Sequence, residues 1–128
     1  MKTQYIVALS VAAGIAIGAA AIQTLHAQAK LPGIVIAEID VSNVDAYTKE
    51  FLPLADKAFA SFSSTFLTRG GRIETINGAA PPKRVIIRQF DSLEIAKAAY
   101  TSPAYMEARK IGDKYAKFRI FAVEGVAK

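Results

Sequence analysis

The chain has 128 residues, 52% of them hydrophobic, with no cysteine, one histidine and a formal net charge of +5. A cysteine-free chain has no disulfide framework and no CxxC redox chemistry. The mild positive charge is interspersed with acids, without the basic face of a nucleic-acid-binding module, and the length suits one compact domain.

The N-terminus has the layout of a secretory signal peptide. Lys2 supplies the positive start, Tyr5 to Ile22 is an uncharged run rich in Ala, Ile and Val, and Ala27-Gln28-Ala29 is a small-x-small cleavage site. Residues 1–29 are therefore expected to be cleaved after Ala29, leaving a periplasmic or secreted domain over 30–128 that meets the membrane only through its signal peptide. The competing reading is an uncleaved anchor. His26, the only histidine, falls inside this segment. The mature domain would then have neither His nor Cys, which excludes His-ligated haem, His-based metal sites and Ser-His or Cys-His nucleophile pairs. No cofactor and no metal are expected, and carboxylate, Lys, Arg and Tyr chemistry remains.

Gly33 to Val41 alternates as a strand, with Val35, Ala37, Ile39 and Val41 on one face and Ile34, Ile36, Glu38 and Asp40 on the other. Ser42-x-x-Asp45 has the form of a capping box. Tyr47, Phe51, Leu54, Ala55, Ala58 and Phe62 then follow at helical spacing, with a kink expected near Lys49 to Pro53 because Pro53 lacks a backbone donor. Ser64 to Arg69 reads as a short strand, Gly70-Gly71 as a bulge, and Arg72 to Ile76 as its continuation, closed by Asn77-Gly78. Lys83 to Phe90 is the next strand. Asp91-Ser92 caps a helix carrying Leu93, Ala96, Ala99 and Tyr100, and Ser102-Pro103 caps another with Ala104, Ala108, Ile111 and Tyr115 at core spacing. Its lysines form a solvated face rather than a membrane-binding one. Phe118 to Val123 is a final strand.

The order β-α-β-β-α-β predicts an α+β, ferredoxin-like antiparallel sheet with both helices on one face. Its other face, expected to carry Ile34, Ile36, Ile86 and Phe90, would be an apolar patch on a monomer, so a homodimer is expected.

Several stretches together carry a resemblance: the early strand ending in an acid, the Ala-Tyr of the first helix, FLTRGG at Phe66 to Gly71, and the Phe90-Asp91-Ser92 junction. Tyr100-Thr101-Ser102-Pro103-Ala104-Tyr105 and the closing Val123-Glu124-Gly125 complete it. In order and spacing the chain resembles the DUF1330 family. Ser63 and Ser64 stand where members commonly have a Gly-Gly pair, which bears on loop geometry. The resemblance implies the dimeric α+β barrel superfamily, whose members include monooxygenases, haem-degrading enzymes and small isomerases, so the fold does not name an activity.

The candidate binding residues are Glu38, Arg88, Tyr47, Arg69 and Tyr105, and no catalytic residue is assigned. Glu38 and Arg88, with Arg84 and Asp40 further along, are expected to share the uncovered face and to pair across neighbouring strands. That pair would be either a polar lining for a small acidic or aromatic ligand between sheet and dimer partner, or a structural ion pair at the interface. Tyr47 and Tyr100 are explained by helical spacing as core aromatics. Tyr105 follows a capped helix start, and Arg69 is either at a cavity mouth or a solvated strand end. The alternative to a binding domain is a cofactor-free enzyme of the isomerase or monooxygenase kind, with Glu38 or a tyrosine moving a proton.

Overall fold

The computed structural model describes residues 31–127, so the expected signal peptide and its cleavage site lie outside the described residues. β1 (Gly33–Val41) follows its sequence alternation, burying Val35, Ala37 and Ile39. Gly33 is required where this strand starts, because a side chain there would collide with the Ser92 carbonyl. β1 lies at the centre of a four-stranded antiparallel sheet of order β2-β3-β1-β4, flanked by β3 (Arg84–Phe90) and β4 (Ala116–Glu124), with β2 (Ser64–Arg69) on the β3 edge. β4 is longer at both ends than the hydrophobic run Phe118 to Val123 suggests. The expected continuation over Arg72 to Ile76 is absent. β3 begins at Arg84, and once the Gly70 amide has donated to the Val85 carbonyl (3.3 Å) no partner strand is left to pair with. The bulge sits between Phe66 and Thr68 instead of at the glycine pair.

The helical layer starts with α1 (Val44–Ala46), capped by Asn43, whose Oδ1 accepts from the Ala46 amide at 3.1 Å. Ser42, the expected cap, donates its hydroxyl to the Tyr115 carbonyl at 2.9 Å. Tyr47–Phe51 then forms a π-helical segment in which the Leu52 amide donates to the Tyr47 carbonyl, and α2 (Leu52–Phe59) follows. Pro53 cannot donate, and its ring crowds the turn before it, so the chain widens there. The wide turn also shifts the helical phase. Tyr47, Phe51, Ala55, Ala58 and Phe59 are buried, while Leu54, expected in the core, is exposed.

α3 (Leu93–Tyr100) starts at Ser92, whose Oγ accepts from the Ile95 amide at 3.1 Å. α4 (Pro103–Gly112) starts at Ser102, whose Oγ accepts from the Tyr105 amide at 3.3 Å and donates to the Ala99 carbonyl at 2.8 Å. Ala96 and Ala99 are fully buried, letting α3 lie close on the sheet. α4 buries Tyr105, Ala108 and Gly112, leaving Ala104 exposed.

The helices pack on one face of the sheet, as the ferredoxin-like α+β expectation requires. The face assignment of β3 needs correction. Val35 lies opposite Arg88, Ala37 opposite Ile86 and Ile39 opposite Arg84, so Arg84, Ile86, Arg88 and Phe90 face the helices. Phe90 is among the most deeply buried side chains of the core. The open face carries Ile34, Ile36, Val85, Ile87, Phe121 and Val123. A one-residue change of phase moves every side chain of a strand to the other face.

Candidate functional site

Arg88 is pulled inward by its position in β3, one pleat from Phe90, and is 6% exposed, the one buried charged residue of the described core. Phe59 from α2 and Phe66 from β2 lie against its guanidinium, each ring centroid 4.1 Å from Cζ. Both contacts are of the cation–π kind, and neither gives the guanidinium a hydrogen-bond acceptor. Among the described residues Arg88 forms no ion pair, and its buried Nε has no hydrogen-bond partner.

Magnitudes show what this arrangement lacks. A desolvated cation–π contact supplies about 2 kcal/mol. Removing a guanidinium from water costs several kcal/mol, and each buried donor left without an acceptor adds about 1–3 kcal/mol. The two rings offset part of that cost and an anion would offset the rest. Burial lowers the pKa of Arg88, opposed first by Tyr100 and then by Asp56, but a guanidinium stays protonated in proteins.

Arg88 opens onto a cavity of about 40 Å³ between the helices and the sheet. The enclosed part accommodates a few water-sized groups, and the cavity is open to solvent on one side, so a larger molecule would fill its mouth as well. Ala37, Ile39 and Ile86 supply part of an apolar floor from the sheet, and Tyr47, Tyr100 and Tyr105 bring phenols from the helical side. Phe59 ties this side together, with ring centroids 4.7 Å from Tyr100 and 4.9 Å from Tyr105. Burial pushes all three phenols above the ordinary tyrosine value, Tyr100 to about 12, with Arg88 opposing the shift. For Tyr47 the opposing charge is Arg84, and for Tyr105 it is Arg109. At neutral pH the phenols are therefore protonated and can donate.

Arg84 holds the other end. Its guanidinium lies 5.9 Å from the Tyr47 ring centroid and packs over Gly70, where a Cβ would collide with it. Gly70 also has φ of 74°, so its lack of a side chain serves both the turn and this approach. Arg84 Nε and Tyr47 Oη are buried without partners among the described residues. Arg84 approaches the phenol, so its charge is felt there, without the alignment of a hydrogen bond. All three unpartnered buried atoms, Tyr47 Oη and the two Nε, thus belong to residues lining one cavity. Arg69 and Asp56 line it too, as a half-exposed ion pair of 3.3 Å joining the end of β2 to α2, with Arg69 Cζ 4.4 Å from the Phe66 ring. The cavity therefore has three arginines against one carboxylate, and that carboxylate is already engaged.

The structure brings Arg88, Tyr47, Arg69 and Tyr105 together and leaves Glu38 out. Glu38 lies opposite Val85 and Arg119, on the open face, and accepts from Arg119 at 3.0 Å. The expected Glu38–Arg88 pair is therefore wrong, because the two side chains leave the sheet from opposite faces. Asp40 accepts from the Lys83 amide at 3.1 Å and does not meet Arg84. Sequence reasoning missed Phe59, which carries no signal beyond apolar spacing, read Phe66 only as part of the FLTRGG stretch, and placed Arg84 on the wrong side. Among the described residues no group of three His, Asp or Glu could hold a metal ion, and no helix is long and apolar enough to cross a membrane.

A family model described as a domain of unknown function, DUF1330, matches residues 32–126. A protein of unknown function from Rhodopseudomonas palustris has a similar structure, with TM-score 0.61 and 14% identity, covering 77% of this chain and 85% of that one. A conserved protein from Methanosarcina mazei Go1 matches with TM-score 0.50 and 14% identity, over 77% and 97% of the two chains. At these identities the likeness is one of fold. No curated protein matches the chain.

Proposed function

The chain belongs to the DUF1330 family, and on that premise we propose that it is an exported homodimeric domain that binds a small acidic or aromatic molecule in the cleft between its helices and its sheet. The observation that carries this reading is the convergence of buried, unpartnered donors from Tyr47, Arg84 and Arg88 on one cavity. Buried polar groups in folded proteins are almost always satisfied by protein, ordered water or ligand, and three donors aimed at one cavity suit a bound acceptor that takes the place of water there. This reading puts the ligand in the cleft, on the opposite side of the sheet from the site between sheet and dimer partner expected from the sequence.

Dimerisation is supported by the open face, where Ile34, Ile36, Ile87 and Phe121 form an apolar patch beside the Glu38–Arg119 pair and Phe121 is 42% exposed. A two-fold contact through such a face would cover the apolar side chains of both copies. Export to the periplasm or medium is supported by the signal-peptide pattern of residues 1–29. The enzyme alternative now rests on the phenols, since Glu38 lies across the sheet from the cleft. Protonated tyrosines beside arginines could donate to a developing oxyanion.

Native mass spectrometry of the chain expressed with its own N-terminus and recovered gently from the periplasmic fraction tests this reading. The expected result is a processed mass starting at Lys30, a dimer as the main species, and a bound small molecule. A monomer free of adduct, whose melting temperature is unmoved by a panel of small acids and aromatics, would overturn it.

A further inference from the structure

The cleft has a cation at each end. Arg84 and Arg88 project from the same face of β3 with Ile86 between them, which puts their Cα atoms about 13 Å apart. Their surroundings differ. The charged and phenolic groups acting on Arg88 are Tyr100, Asp56, Arg69 and Tyr105, whereas Arg84 acts on Tyr47 and packs over Gly70. Neither arginine forms an ion pair among the described residues, and each has a buried Nε without a partner. A ligand with one acceptor would satisfy one end and leave the other unpaired.

Resting on the ligand-binding reading above, the geometry points to a short linear dicarboxylate as the ligand class. We infer that one carboxylate meets the edge of Arg88, the other meets Arg84 and the Tyr47 hydroxyl, and the methylene chain lies over Ile86. The ring centroids of Phe59 and Phe66 each lie 4.1 Å from Arg88 Cζ, so the two rings hold the guanidinium in place. The planar guanidinium fork matches the two coplanar oxygens of a carboxylate. Arg69 does not compete for the ligand while Asp56 holds it.

The test is isothermal titration of the full dimer with succinate, glutarate and adipate, against butyrate, valerate and hexanoate of matched length, with sulfate and benzamide as further probes. One dicarboxylate is expected to bind at least about tenfold more tightly than its monocarboxylate partner. Arg88→Met should abolish binding of both, while Arg84→Met should reduce the dicarboxylate to the affinity of the monocarboxylate. Gly70→Ala, which moves the Arg84 guanidinium without removing it, should reproduce Arg84→Met, with circular dichroism confirming the retained fold. Equal affinity for the two acid series, or displacement by sulfate at equal concentration, would overturn the inference. Binding of benzamide without any acid would overturn the dicarboxylate class and leave the cleft a ligand site. No binding by any probe, with no adduct in the native spectrum, would remove both readings.

Discussion

On the open face of the sheet Arg119 is 76% exposed at its side chain and reaches Glu38 at 3.0 Å. On the helix face Arg88 is 6% exposed, lies between two aromatic rings and has no carboxylate of its own. The same residue type is thus cheap and paired in one place, costly and unpaired in the other. An exposed pair contributes about 0.2–1 kcal/mol and is screened by salt. A buried, unpaired guanidinium is a cost to folding, which the proposed ligand would offset.

The contrast can be broken first from the helix side. Phe59→Ala removes the ring that touches Arg88, Tyr100, Tyr105 and Phe90, and should destabilise the domain by about 3–5 kcal/mol in urea unfolding. The phenols add a pH signature. Tyr100 is raised to about 12 from the ordinary 10, so the folded state holds its proton where the unfolded chain has lost it. Its contribution of about 2–3 kcal/mol is fully present below pH 10 and is lost as pH rises towards 12. Tyr100→Phe should flatten that fall in stability between pH 10 and 12.

Changes on the open face should act on assembly. Phe121→Arg should weaken the proposed dimer at least about tenfold in sedimentation equilibrium, or about 1.4 kcal/mol, without altering binding in the proposed cleft. Glu38→Gln should change stability by no more than about 1 kcal/mol, an effect that shrinks further in high salt. A loss of ligand affinity in Glu38→Gln comparable to that in Arg88→Met would show that the two faces are not independent.

The sequence legibly carried the element order, the serine caps of α3 and α4 and the alternation of β1, because each rests on a local signal. β1 alternates between an apolar face and one that turns acidic at Glu38, so its two faces can be told apart. β3 has Val85, Ile86 and Ile87 in succession, with Arg84 and Arg88 on the same face as Ile86. Neither of its faces is marked as the buried one by composition, and the arginines argue, misleadingly, for the open side. Tertiary packing favours that phase, since it buries Phe90 in the core and packs Ile86 against it. The π-helical turn is a second case. Pro53 signalled an irregularity, but the resulting shift that exposes Leu54 and buries Phe59 depends on how the turn relaxes. Four of the five candidate site residues meet at one cleft, although the partner assigned to Arg88 lies across the sheet.

In the proposed function Arg88 serves a ligand at the expense of stability. The most direct test compares the thermal unfolding of the original chain and Arg88→Met, each with and without saturating dicarboxylate from the series above. The account predicts that without ligand Arg88→Met is as stable or more stable, by up to about 1–4 kcal/mol, and that the acid raises the melting temperature of the original chain alone. A less stable Arg88→Met, together with an original chain that no acid stabilises, would make Arg88 a structural cation and contradict the account.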